Sequence, residues 1–295
     1  MSYQYLILRG IGRFRKLSEW VLFFINIPFL IKKLFGLSKN INLASSEFDV
    51  DIKKLESELK IHGIALGIDL KKDTIKQILD FSKAQKCYAD RNPKLGFYYS
   101  NLEDAQAKIG KSILVAQYYN AMECPSISRL AHDPLILEIA RKYLGDSFRL
   151  LGVNLWWTFA SGATEEDRLK HAHYFHRDVD DLKFIKFFFY INDVDITSAH
   201  VYVKDSIKMA KKMSLKDVIF IRRYKDMEIE NYYGKDSIVS VTGPAGTGFV
   251  EDTFLFHKGT TPTVNNRLLL QFQFGIFPNQ AHSDILDKFT LSNIS

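Results

Sequence analysis

At 295 residues, 46% apolar and 25% charged, the chain is long enough to bury about three-quarters of its unfolded surface, so a core without staples is expected. Two cysteines, Cys87 and Cys124, exclude a disulfide framework and a cysteine-based zinc site, and suit a reducing compartment. The net charge of +6 does not describe the main domain, because the first 40 residues hold seven basic side chains against Glu19 alone; no nucleic-acid partner is expected.

Residues 1–43 form a basic and apolar segment. Its "WVLFFINIPFLI" (Trp20 to Ile31) falls short of the about 20 apolar residues that span a bilayer. Lys32 and Lys33 directly after it, and the lack of a small-residue cleavage site, oppose a signal peptide. Two readings stay open. One is a membrane-surface helix, giving a cytoplasmic protein a peripheral membrane contact through residues 9–36. The other is a helix packed on its own domain.

The next hundred residues read mostly helical. Val50, Ile52, Leu55 and Leu59 recur at helical spacing in "FDVDIKKLESELK", and "HGIALGIDL" reads as a short strand. Asp73 is expected to cap "TIKQILDFSKAQK", and Asn101 with Asp104 to start "LEDAQAKIGKSI". One helix is expected over "SISRLAHDPLILEIARKYLGD", stopped by Gly145. After Gly145 the period changes to two. "SFRLLGVNLWWTFA", "KFIKFFFYINDV", "AHVYVK", "DVIFIRRY", "DSIVSVTG", "GTGFVEDTFLF" and "NRLLLQFQFGIF" read as strands of a sandwich, barrel or jelly roll. No linker separates the halves, so residues 44–285 are expected to form one domain, followed by a tail over 286–295.

"HAHYFHRDVDD" (His171 to Asp181) concentrates the titratable groups. In an extended segment alternate residues share a face, which puts His176 with Asp178 and sets His171, His173 and Arg177 apart. An imidazole and a carboxylate at one strand end can be two cis ligands to a metal, although the pair alone is a common pattern. His257 ends a later apolar strand and supplies a third ligand. Two histidines and one carboxylate leave open positions on non-haem Fe(II) for a 2-oxo acid such as 2-oxoglutarate and for O₂. Arg267, ten residues past His257, shares its parity with Leu269, Gln271 and Gln273, and its planar fork suits the far carboxylate of such a cosubstrate.

This arrangement resembles the Fe(II)/2-oxoglutarate dioxygenases, and within them the phytanoyl-CoA dioxygenase family. "HDPLILEIARKYLGD", "FHRD", "FFFYINDVD", "GPAGTGFVEDTFLFHKGTTP" and "NRLLLQFQFG" carry the likeness, which runs from about Leu59 to Phe277. It implies a mainly β fold with added helices, namely a double-stranded β-helix (jelly roll) core with an N-terminal helical layer. It also implies that His176, Asp178 and His257 hold iron and Arg267 anchors 2-oxoglutarate. Where such proteins often carry Gly-Pro and Gly-Ser-His, this chain has "TSAHVYVKDS", which puts the substrate-side loop in doubt. Because Asp178 is present, hydroxylation of a small-molecule or lipid-like substrate is expected rather than halogenation. The alternative is a non-catalytic jelly-roll binding protein that retains the ligands.

Other residues have two readings each. Lys186, inside "FIKFFFYI", either reaches a cosubstrate or substrate carboxylate or snorkels from an edge strand. Asn154, Trp156 and Trp157 wall the pocket or pack in the core. "GPAGTG" reads as a turn, since a strand follows where a phosphate loop needs a helix. His171, His173 and His200 are expected at the surface, and Asp180 and Asp181 in a solvated loop.

Overall fold

The computed structural model describes residues 3–35, 43–207, 221–278 and 291–294. Among the described residues eleven strands are formed: β1 (Ile64–Leu66), β2 (Lys86–Ala89), β3 (Gly96–Tyr98), β4 (Val115–Tyr118), β5 (Arg149–Thr158), β6 (Ile185–Tyr190), β7 (His200–Val203), β8 (Ile238–Val241), β9 (Gly248–Glu251), β10 (His257–Gly259) and β11 (Arg267–Gly275). They make an eight-stranded sheet, ordered β1-β9-β6-β11-β5-β4-β2-β3, and a three-stranded sheet, β10-β7-β8. Every pairing within the sheets is antiparallel.

The strict alternation of β11 sets the layers. Leu268, Leu270, Phe272 and Phe274 point to one face, where they join Leu59, Ile136, Ile139 and Ala140 of the helices in the main core. Helices α1 (Tyr3–Gly12), α2 (Arg15–Leu34), α3 (Ile52–His62), α4 (Lys72–Ala84), α5 (Leu102–Ile109), α6 (Pro125–Ala131) and α7 (Pro134–Leu144) precede the long strands in the chain. On the other face, Leu269 packs with Phe188, Tyr190, Phe249 and Val241 between the two sheets. The expected jelly roll with added helices is the observed fold.

Several local expectations change. The helix expected after Cys124 is two, because Pro134 lacks an amide hydrogen and takes the first position of α7, with Asp133 capping Leu135 N at 2.8 Å. Asp73 lies within the first turn of α4, whose capping position is Lys71. The segment read as mostly helical also supplies β2, β3 and β4, each too short to show a period. "GTGFVEDTFLF" is not one strand: β9 ends at Glu251, and Asp252 turns the chain by accepting from Phe254 N at 3.1 Å and Leu255 N at 3.0 Å. The first half of "DVIFIRRY" lies outside the described residues, and its last residue, Tyr224, bridges Phe175. At the other end, Ser292 to Ile294 run beside Gly96, where a Cβ would come within 2.7 Å of Asn293 and Tyr88.

Helix α2 docks on the domain by one face. Arg15 pairs with the fully buried Asp252 at 2.5 Å, Tyr143 donates to the same carboxylate oxygen at 2.6 Å, and Leu22 is buried. Its outer face is apolar: Trp20 is 66% exposed, Phe24 60% and Leu34 85%. No helix among the described residues is long and apolar enough to cross a membrane.

Candidate metal centre

Two chain segments meet to form the centre. A short helix, Glu165–Lys170, is closed at its start by a Thr164–Asp167 capping box and ends at His171. Ala172 then takes a left-handed φ of 63°, and the chain becomes extended. His176 N donates to His257 O and His257 N donates to His176 O, both at 3.0 Å, so the two histidines face each other across an antiparallel bridge. Asp178 N donates to Thr253 O at 2.9 Å, which holds the carboxylate beside the same turn.

The side chains converge. The ring centres of His176 and His257 lie 4.2 Å apart, with Asp178 Oδ1 3.5 Å from His176 Nε2 and Asp178 Oδ2 3.5 Å from His257 Nε2. The three candidate ligand atoms lie within 4.8 Å of one another. His176 Nδ1 is bonded to Tyr174 O at 2.9 Å and His257 Nδ1 to Leu255 O at 3.1 Å. A carbonyl only accepts, so each Nδ1 carries the proton and each Nε2 offers its lone pair to the centre.

Electrostatics leaves these groups ready to bind a cation. Burial, then the neighbouring His257, pushes His176 well below its usual range, so the imidazole is neutral. Burial opposes ionisation of Asp178, but Lys186 and then His257 and His176 hold its carboxyl well below the usual carboxylate range. Two imidazoles and one carboxylate, with room left around them, fit non-haem Fe(II).

Lys186 and Arg267 reach the same cavity, of about 470 Å³. Lys186 Nζ donates to Asp178 Oδ2 at 2.7 Å and lies 3.9 Å from Asp180. Arg267 is buried, with Nη1 donating to the Ser198 carbonyl and Nη2 3.4 Å from Thr158 Oγ1. Its Nε is buried without a hydrogen-bond partner. A half-satisfied buried guanidinium suits a carboxylate guest. Leu269 and Gln271 line the cavity with Arg267, as their shared parity required, while Gln273 lies beyond it.

The histidines expected at the surface are buried. His171, His173 and His200 all line the cavity and are 6%, 4% and 5% exposed. Strand parity misplaces the first two because extended pairing begins only at Phe175, after the turn at His171 and Ala172 and a bend at Tyr174. His173 Nδ1 bonds Thr261 Oγ1 at 2.8 Å, and His171 lies 3.3 Å from Asp90. His200 and Glu251 share a hydrogen bond of 2.6 Å; burial pushes the histidine down to about 3 and the acid up to about 8, so the pair is neutral.

The two acids are not solvated either. Asp181 is 1% exposed and accepts from Leu182 N, Ile276 N and Phe277 N at 2.6 to 2.8 Å, clamping the end of β11. Asp180 is also buried and lines the cavity. Asn154 and Trp156 wall the pocket, whereas Trp157 packs in the core and donates to Tyr118 Oη at 3.0 Å. The "GPAGTG" segment is a turn, with Gly246 at φ 99°. Sequence reasoning missed Arg91, Lys170 and Arg223, which come to the cavity from separate elements, and Gln117 and Tyr119, two residues apart in and just after the short β4.

No family model matches the chain, and no curated protein matches it. Solved structures do. The epimerase SnoN in complex with Fe3+, alpha ketoglutarate and nogalamycin RO aligns over 80% of this chain and 89% of its own, at 12% identity and a TM-score of 0.53. HygX from Streptomyces hygroscopicus, with nickel, 2-oxoglutarate and hygromycin B bound, aligns over 78% and 88%, at 14% identity and a TM-score of 0.52. EctD from S. alaskensis with bound Fe aligns over 79% and 80%, at 14% identity and a TM-score of 0.50. The chain shares their fold. It is the double-stranded β-helix, with the His176–Asp178–His257 centre lying between its two sheets.

Proposed function

We propose that this protein is an Fe(II)- and 2-oxoglutarate-dependent oxygenase, similar to the phytanoyl-CoA dioxygenase family, that hydroxylates a small-molecule substrate. The observation that carries the reading is the shared cavity: three ligand atoms within 4.8 Å, and in the same space a buried arginine with an unpartnered Nε. His176, Asp178 and His257 would hold the metal, and Arg267 would pair with the far carboxylate of 2-oxoglutarate. Bound there with O₂, the metal and cosubstrate would supply oxidative decarboxylation to succinate and CO₂ and oxidation of a substrate C–H. Lys186 steadies the Asp178 carboxylate.

 Trp156, Phe188 and Leu269 line the remaining space and keep water from it.

Anaerobic titration tests the reading directly. Fe(II) followed by 2-oxoglutarate should give the weak visible charge-transfer band of a chelated complex, and the band should be absent in His176→Ala. Succinate formation that persists undiminished in both His176→Ala and Asp178→Ala would refute the assignment. Chelation without turnover of any substrate offered would favour the binding-protein alternative.

We also propose that α2 rests on an anionic lipid surface in the cytoplasm, where the two buried free thiols, Cys87 and Cys124, stay reduced. Leu17, Trp20, Phe23, Phe24, Ile31 and Leu34 form an exposed apolar stripe opposite the docked face, on a segment whose charge is strongly positive. Flotation of the full chain with phosphatidylserine vesicles is the test. Binding that Trp20→Glu with Phe24→Glu removes, and that neutral phosphatidylcholine does not reproduce, is expected. A dimer in solution that the same pair of changes dissolves, with no flotation, would instead assign the stripe to a second copy.

A further inference from the structure

Charge is distributed unevenly along the cavity. Its lining holds five cationic side chains, Arg91, Lys170, Lys186, Arg223 and Arg267, against the two carboxylates Asp178 and Asp180. Both carboxylates sit near Lys186, at 2.7 and 3.9 Å. If the centre takes Fe(II) and 2-oxoglutarate, as proposed above, the dication and the dianion cancel and the excess of positive charge remains. Besides Lys186 and Arg267, the cations of the lining are Arg91, Lys170 and Arg223.

These three come from separate elements. Arg91 follows β2 and, with Asp90, forms two successive left-handed residues, at φ 57° and 54°. Such backbone is costly away from glycine and is found where surrounding contacts enforce it. Here Asp90 N donates to Val115 O at 2.8 Å and Tyr119 Oη donates to Arg91 O at 2.6 Å, pinning the turn at the cavity. Lys170 ends the helix that leads into His171. Arg223 is half-buried and immediately precedes Tyr224, which is bridged to Phe175. The nearby carboxylate of Asp90 is engaged by Lys111 at 2.6 Å and by His171 at 3.3 Å, and is 3.9 Å from Lys170. Burial pushes Arg223 below the usual arginine range, against the charge of Asp178, and Arg91 adds to the shift. Like charges collected in a partly dry opening repel one another, and an anion between them relieves that cost.

We propose that the substrate is an anion whose phosphate, sulfate or carboxylate group is held by Arg223, Arg91 and Lys170 at the cavity opening, with the remainder directed inward past Trp156 towards the metal centre. Two guanidiniums favour a group with several acceptor oxygens, since each presents a fork of donors. The neutral donors Gln117 and Asn154 line the cavity beside them.

The test uses the full chain, free of metal and 2-oxoglutarate, so that it does not depend on the oxygenase reading. Calorimetric titrations with inorganic pyrophosphate, sulfate and tricarballylate compare the three chemistries. Saturable binding of at least one is expected, weakening with salt and weakened about tenfold or more in Arg223→Gln and Arg91→Gln. Lys76→Gln, on a distant exposed ion pair with Asp80, should leave it unchanged. Arg223→Lys keeps the charge and should retain part of the affinity, which separates recognition from damage to the fold. The strongest of the three ligands names the group. Absence of saturable binding, or equal binding by the parent, Arg91→Gln and Arg223→Gln, would overturn the proposal. Anion binding that survives while 2-oxoglutarate turnover is never found would sink the oxygenase reading alone.

Discussion

Lys186 Nζ donates to Asp178 Oδ2 at 2.7 Å, so the carboxylate of the metal centre is tied by a buried cation. Without a metal, that lysine compensates the buried charge of Asp178. Lys186→Met is therefore expected to cost the metal-free protein about 3 kcal/mol and to enlarge the rise in Tm that Fe(II) produces anaerobically, because the metal then becomes the compensating charge. Thermal unfolding of the parent and variant, with and without Fe(II), measures both. An unchanged metal-induced rise would show that Lys186 does not compensate Asp178.

Arg267 should act on cosubstrate more than on chemistry. Arg267→Lys keeps a charge but loses the planar fork and the contact with the Ser198 carbonyl. The KM for 2-oxoglutarate is expected to rise about tenfold or more, with a smaller change in kcat. Steady-state succinate assays across cosubstrate concentration decide it; an unchanged KM would place the far carboxylate elsewhere.

Asp181 gives a pH dependence of definite sign. Burial raises its carboxyl to about 6, above the ordinary range near 4. On raising pH, the unfolded chain ionises first while the folded protein still holds its proton. The stability from this group is thus full below about pH 4 and declines up to about pH 6, by roughly 2 to 3 kcal/mol. Denaturant midpoints of the metal-free protein from pH 4 to 7 should show this decline, and Asp181→Asn should flatten it. A parallel slope in the variant would assign the decline to other groups.

Arg15 and Asp252 form the fourth test. Asp252 is fully buried, so Arg15→Met leaves a carboxylate without its ion pair and with Tyr143 as its remaining side-chain donor. A loss of about 2 to 3 kcal/mol is expected, together with faster proteolysis between α2 and α3. Equal rates of cleavage would mean that other contacts hold α2 in place.

The sequence disclosed the parts of this fold that repeat. The alternation of Leu268, Leu270, Phe272 and Phe274 against Arg267, Leu269 and Gln271 identifies β11, its buried face and the orientation of its arginine. The His176–Asp178 pairing was legible because the chain is extended there, and the structure brings His257 to it. The same parity rule failed at His171 and His173, since both precede the extended pairing that begins at Phe175; the turn at His171 and Ala172 and the bend at Tyr174 carry no sequence mark of their own. Strands β2 to β4, of three or four residues, are too short for periodicity to reveal. The cationic opening was invisible for another reason: Arg91, Lys170 and Arg223 are far apart in the chain and meet only through tertiary packing.

The turn between β9 and β10 is stitched on two sides. Asp252 is fastened to Arg15 of α2, and the next residue, Thr253, accepts the Asp178 amide. One ion pair, one peptide bond and one hydrogen bond thus link the N-terminal helix pair to a ligand of the metal centre, and four residues later the same turn delivers His257. Shortening the chain to begin at residue 44, a natural choice for removing an awkward apolar surface, would unfasten this turn at its outer stitch. Weak metal retention by such a shortened protein would then reflect a slackened scaffold and carry no information about the ligands themselves.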